Sequence, residues 1–188
     1  MDNHPIVGFD LDGVLIDHTE SKIVVAKVFG FDITPQQTPS EVLRQLVPYD
    51  TLQQMQRMLY DDPQYAYLSP LMDGVETIIQ MMVDRKWPIY LISRRKTPDS
   101  AITLLQKRGL WPTFFREENT FFVREPADKD VHARRLGITH YIDDERQVIH
   151  VLNSVKHRFL FDQYNLFQDQ EPYVRVSSWD AFRPHVDL

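Results

Sequence analysis

Three short apolar runs, each ending on an acid or a hydroxyl, constrain the fold of this chain more than any other feature. Ile6-Val7-Gly8-Phe9 runs into Asp10, Ile89-Tyr90-Leu91-Ile92 into Ser93, and Tyr141-Ile142 into Asp143-Asp144. A continuous apolar run of this length predicts a strand buried on both faces, the condition of a parallel sheet covered by helices. The intervening sequence has helical grammar. Asp73-Gly74-Val75-Glu76 reads as a capping box ahead of Val75, Ile78, Ile79, Met82 and Val83 on one face. Thr97-Pro98 opens a helix that Gly109 closes, and Lys129 to Leu136 predicts another closed by Gly137. Phe121-Phe122-Val123, Phe159-Leu160-Phe161 and Val174-Arg175-Val176 predict three further strands. Strands alternating with helices give an α/β class with helices on both faces of a parallel sheet.

Residues 17–70 interrupt this alternation. Ser40 precedes Val42, Leu43, Leu46 and Val47, stopped by Pro48, and Asp50 precedes Leu52, Met55, Met58 and Leu59. Both read as capped, one-faced helices. An aromatic, turn-rich stretch from Tyr60 to Pro70 follows. The expected layout is a core of residues 1–16 and 71–188 with residues 17–70 inserted as a helical cap. At 188 residues, 43% hydrophobic and 26% charged, the chain is sized for one globular domain with such an insertion.

Lys plus Arg is 21 and Asp plus Glu is 27, a net charge of −6, so no bulk attraction for nucleic-acid polymers or anionic membranes is expected. No apolar run approaches the ~20 residues that span a bilayer. Met1-Asp2-Asn3-His4-Pro5 lacks the positive start of a secretory signal. The absence of cysteine excludes a disulfide framework, a thiolate zinc site and a cysteine nucleophile, and it fits a reducing cytoplasm. The seven histidines show no His-x-x-x-His pair and read as surface or hydrogen-bonded side chains.

In open parallel sheets, ligands bind outside the carboxyl ends of the strands. Asp10, Asp12, Ser93, Asp143 and Asp144 all fall there. Taken singly, each is an ordinary turn or cap residue. Four acids converging at one sheet edge repel one another without a cation, and an all-oxygen cluster suits Mg²⁺ rather than zinc. Lys129, just before the last of these strands, supplies a fixed positive charge.

These residues carry a resemblance. Phe9-Asp10-Leu11-Asp12-Gly13-Val14-Leu15 resembles the first motif of the haloacid dehalogenase (HAD) superfamily, Asp-x-Asp-x-[Thr/Val]. Ile92-Ser93 resembles its second motif. Lys129, with Ala133, Leu136 and Gly137 downstream, is similar to the third, and Ile142-Asp143-Asp144 to the fourth. Lys107 is a rival for the third motif, but Lys129 has the expected eight-residue spacing to Gly137. The resemblance departs at the second motif, where Ser93 is followed by Arg94-Arg95-Lys96, a basic run that reads as a solvated loop or as phosphate and substrate contacts.

The resemblance implies a Rossmann-like core with a small helical cap and a Mg²⁺-dependent phosphatase acting on a small phosphorylated metabolite. Asp10 would be the nucleophile that forms an aspartyl-phosphate, and Asp12 the acid and then the base. Ser93, Arg94, Lys129 and Gly13 would bind the phosphate. Asp10, Asp12 (through its main-chain carbonyl) and Asp143 would hold the metal, with Asp144 in the same site as a ligand or as a support for Lys129. Asp12 is similar to the acid of phosphatases and phosphomutases, whereas P-type ATPases have Thr there and dehalogenases lack the acid. The short cap and Ser177-Ser178-Trp179-Asp180 resemble the deoxyribonucleotidase-like branch, a nucleotidase reading. Phe29, Phe31, Tyr60, Tyr65 and Tyr67 read as cap core or as a platform for a base. A phosphomutase remains the nearest alternative. A receiver-type phospho-acceptor is disfavoured because there the acidic pair comes first in the chain, and a binding protein without turnover because every essential group is present.

Overall fold

Alternate residues of the central strands face two separate apolar layers, and this sets the architecture. The computed structural model describes residues 4–169, 172–186 and 188. Six parallel strands form one sheet: β1 (Val7–Phe9), β2 (Ile89–Ser93), β3 (Thr120–Phe122), β4 (His140–Asp143), β5 (His157–Phe161) and β6 (Val174–Val176), in the order β3-β2-β1-β4-β5-β6. Val7, Phe9, Leu91, Ile142 and Phe159 point into one layer. There they meet α4 (Val75–Asp84), α5 (Pro98–Lys107) and α8 (Trp179–Phe182). Ile92, Tyr141 and Leu160 point into the other, against α6 (Pro126–Leu136) and α7 (Arg146–Val151). The α/β sheet with helices on both faces is as the sequence predicts.

Gly8 lies between the layers, and Tyr141 of β4 lies across it. A Cβ at Gly8 would come within 2.5 Å of the Tyr141 ring. The Tyr141 hydroxyl reaches over to donate to the Ile92 carbonyl of β2 at 3.0 Å. One side chain thus spans three strands because the middle one carries none.

Residues after β1 leave the sheet and form α1 (Thr19–Val28), α2 (Ser40–Leu46) and α3 (Tyr49–Asp61). These helices pack around their own apolar cluster, with Val25, Ala26, Leu43, Leu52, Met55 and Leu59 at its centre. Phe29, Phe31, Tyr60 and Tyr65 pack against this cluster, while Tyr67 packs against the main core. The two connections to the sheet run side by side, with the Asp17 N–H donating to Pro70 O and the Met72 N–H to Leu15 O. Among the described residues no helix is long and apolar enough to cross a membrane.

Helix starts differ from their sequence signals. Ser40 and Asp50 do not cap: Pro39 and Pro48 are the cap residues of α2 and α3, their rings fixing φ at −55° while ψ stays extended at 139° and 144°. The expected box at Asp73 does not form, because Gly74 at φ 80° is the cap residue of α4. Helix α6 begins at Pro126, which places Lys129 inside it rather than at its opening.

Candidate active site

The strand ends assemble a floor of charged groups at the carboxyl edge of the sheet. Asp10 follows β1 directly, Asp143 is the last residue of β4, and β1 pairs with β4 in register. Their carboxylates therefore meet side by side. Lys129 reaches between them from α6, donating to Asp10 Oδ1 at 2.6 Å and to Asp143 Oδ2 at 2.7 Å. It is fully buried, with the Tyr141 ring 5.7 Å from its Nζ. Burial alone would neutralise such an amine, but the two carboxylates more than offset it and hold its pKa well above the usual lysine range.

Oxygens of Asp10, Asp143 and Asp144 all lie within 4.8 Å of one another. Burial, with Asp143 and Asp12 adding repulsion and Lys129 opposing, pushes Asp10 up to about 7. Asp143 is raised by burial, and Asp144 well above the carboxylate range by burial and the neighbouring charges of Glu145, Asp143 and Asp10. Three carboxylates against one ammonium leave two negative charges, which a divalent cation would neutralise. The donor set is hard oxygen throughout. Gly13 supplies the clearance: a Cβ there would stand 2.5 Å from Asp144 Oδ2, and its φ of 80° suits glycine. Asp144 makes no hydrogen bond or ion pair among the described residues; Lys129 is held by Asp10 and Asp143 instead. The residues present therefore fit a hard divalent ion.

Asp12 is placed differently. Arg95 grips it through Nε (2.9 Å to Oδ2) and Nη2 (2.7 Å to Oδ1), and His18 Nε2 lies 2.6 Å from Oδ1. Burial would raise this carboxyl, but the Arg95 charge and the His18 hydrogen bond hold it well below the carboxylate range. His18 is itself buried, which lowers its pKa against the pull of Asp12. Its Nδ1 pairs with Ser69 Oγ at 2.6 Å, and Ser69 donates to Ser21. Arg95 stacks over Tyr60 of α3, 4.5 Å from the ring centroid, and its Nη1 is buried without a hydrogen-bond partner.

The remaining expected groups are nearby but not all on the same surface. Ser93 ends β2, fully buried, its Oγ accepting from the Arg95 N–H at 3.2 Å. The Gly13 N–H is taken up by Ile16 O at 2.9 Å, so what Gly13 gives the site is space and a turn rather than a free donor. Arg94 donates to Glu145 at 3.0 Å, and Arg44 of α2 pairs with the same carboxylate, bridging the inserted helices to the sheet. Lys107 lies 5.3 Å from the Tyr67 ring, outside the cluster. Trp179 is core: its indole donates to Val14 O at 3.1 Å and its ring packs on Phe9. Above the floor, between the sheet edge and α2 and α3, lies a cleft of about 1470 Å³ counting its solvent-open mouth, lined among others by Asp10, Asp12, Asp143 and Asp144.

No family model matches the sequence, and no curated protein matches it. Solved structures do. A HAD-superfamily hydrolase from Ehrlichia chaffeensis superposes with a TM-score of 0.62 at 13% identity, covering 100% of this chain and 98% of that one. The chain has the HAD fold. A β-phosphoglucomutase candidate from Thermotoga maritima gives 0.65 at 15% identity over 98% and 99% of the two chains. A phosphoglycolate phosphatase candidate from Haemophilus somnus gives 0.64 at 15% identity over 100% of both. At these identities the likeness is one of HAD fold, and the charged floor described above is this chain's own.

The hold of His18 and Arg95 on Asp12 is not legible in the sequence: the basic run reads as a solvated loop or as phosphate and substrate contacts, yet Arg95 is buried against Asp12. His18 has no sequence signal beyond its proximity to Asp12, and Arg95 is hidden in a basic run whose other members are solvent-facing or paired elsewhere.

Proposed function

We propose that this chain is a HAD-type phosphoric monoester hydrolase acting on a small phosphorylated metabolite. The observation that carries the reading is the buried Lys129 bonded to both Asp10 and Asp143 at adjoining strand ends, beneath an open cleft. An ammonium held there balances a carboxylate that must stay ionised to attack phosphorus.

Asp10 Oδ forms the new bond to phosphorus as the P–O ester bond breaks, giving an aspartyl-phosphate; the departing oxygen takes a proton from Asp12 in its acid form, or leaves as the anion where its alcohol is acidic enough. Water then attacks phosphorus, Asp12 accepts its proton, and phosphate leaves with the Asp10 carboxylate restored. Arg95 and His18 keep Asp12 ionised, the form this second half needs, and it takes up the proton as Arg95 loosens its grip. Protonating the first leaving group requires Arg95 to loosen its grip, so esters whose alcohol needs no proton go fastest. Asp10, Asp143 and Asp144, with the Asp12 carbonyl, would hold Mg²⁺, which supplies positive charge for the phosphoryl oxygens. Residues 17–70 are read as a cap that excludes water and selects the leaving group. Screening nucleotides and sugar phosphates then identifies the leaving group.

The test is hydrolysis of p-nitrophenyl phosphate with and without Mg²⁺, comparing wild type with Asp10→Asn. Magnesium-dependent release is expected, falling on the order of 10³-fold or more in the variant. Equal rates in the two proteins would overturn the reading.

A further inference from the structure

The floor of the cleft is anionic, yet its mouth is cationic. Six basic side chains line it, and three of them are already committed: Arg44 and Arg94 to Glu145, and Arg95 to Asp12. Arg57, Lys96 and Arg124 are exposed and have no carboxylate partner among the described residues. Asp61, an acid on the same wall, accepts from Thr97 Oγ1 at 2.5 Å and keeps its charge, so three cations stand there against one acid. The three free cations come from three elements: Arg57 from α3, Lys96 from the loop after β2, and Arg124 from the loop after β3. Unpaired surface cations are common and cheap when scattered. In a chain of net charge −6, three exposed cations lining one cleft, from both the sheet edge and the inserted helices, make a local positive field.

That field cannot be for the scissile phosphate, which has Lys129 and the divalent site on the floor. We propose that Arg57, Lys96 and Arg124 form a second anion subsite, so that the preferred substrate carries a further phosphate or carboxylate on its leaving group. The inference rests on the phosphatase reading for which end of the substrate is cleaved, but the subsite itself is a binding claim. Because Arg57 belongs to the inserted helices and the other two to the sheet edge, one anion held by all three draws the two walls together.

Binding is measured by isothermal titration with phosphonates, which lack the cleavable ester oxygen: propylphosphonate, 3-phosphonopropionate and propane-1,3-diphosphonate, in the presence of Mg²⁺. The anion-bearing pair is expected to bind about tenfold or more tightly than propylphosphonate. Whichever of the two binds more tightly assigns a carboxylate or a phosphate to the subsite. The triple variant Arg57→Gln, Lys96→Gln, Arg124→Gln should bring all three ligands within about twofold of one another, whereas Lys27→Gln, an exposed cation on α1 outside the cleft, should leave the preference intact. Circular dichroism confirms that both variants fold. Equal binding of the three phosphonates by wild type overturns the subsite, and so does a preference that survives the triple variant. Hydrolysis of p-nitrophenyl phosphate reports separately on the phosphatase reading: turnover without anion preference removes the subsite alone, and anion preference without turnover of any phosphomonoester removes the phosphatase reading alone.

Discussion

Asp12 and Asp144 are two site carboxylates with opposite surroundings, and they predict opposite responses to substitution. Asp12 is held ionised by Arg95, so its contribution to stability is fully present above about pH 4 and is lost progressively as pH falls below that toward its depressed folded pKa. Arg95→Gln should lower stability at pH 7 by about 2–3 kcal/mol, the worth of hydrogen bonds to a charged group. Thermal melts should show the gap to wild type closing below about pH 4. Asp10 and Asp144 sit at raised pKa, so in the metal-free protein they weaken the fold as pH rises above the ordinary carboxylate value, for Asp10 through about 7. Asp144→Asn should therefore raise the melting temperature of metal-free protein at pH 8 by about 2–4 °C, the equivalent of about 1 kcal/mol in a chain of this size. The same variant should lose most of the stabilisation that Mg²⁺ gives wild type, which melts with and without chelator would read. A variant less stable than wild type in chelator would contradict the electrostatic account of the floor.

At the scale of elements, the crossing of Tyr141 over Gly8 ties β4 to β1 and β2 in one contact. Gly8→Ala should cost about 1–3 kcal/mol in denaturant melts through overpacking, and much less in a Tyr141→Ala background, since the clash is with that ring. The strands were legible because a doubly buried strand admits only apolar residues, and the acids at their ends were legible for the same reason turned round: a charge after such a run marks where the sheet stops. Helix starts were not, because Ser40, Asp50 and Asp73 offer the right capping chemistry while Pro39, Pro48 and Gly74 set the backbone. Nor was the hold on Asp12. His18 is placed by Ser69, on the far connection of the inserted segment, and Arg95 by Tyr60 on α3. Neither partner is near in sequence, and no periodicity announces such a meeting. The five-residue alignment of strand ends could be read locally; the side chains that aim them are a tertiary product.

For the molecule as a whole, the inserted helices and the sheet share one cleft but keep separate apolar centres. Met55→Ala, buried in the cluster of α1, α2 and α3, should cost about 2–5 kcal/mol of local stability. Hydrogen exchange should locate that loss within residues 17–70, with amides of β1 and β4 remaining protected. The position of β1 also has a consequence during synthesis. Val7 is central in the sheet, yet its partners are Ile89 on one side and His140 on the other. At about 5–20 residues per second, the first strand leaves the ribosome several seconds before either neighbour exists. It must wait as an unpaired apolar segment while the helices that follow it, whose contacts are mostly local, collapse beside it. The nascent chain thus assembles its inserted helices before its charged sheet edge, and a chaperone that binds short apolar segments would find its longest opportunity at residues 6–9.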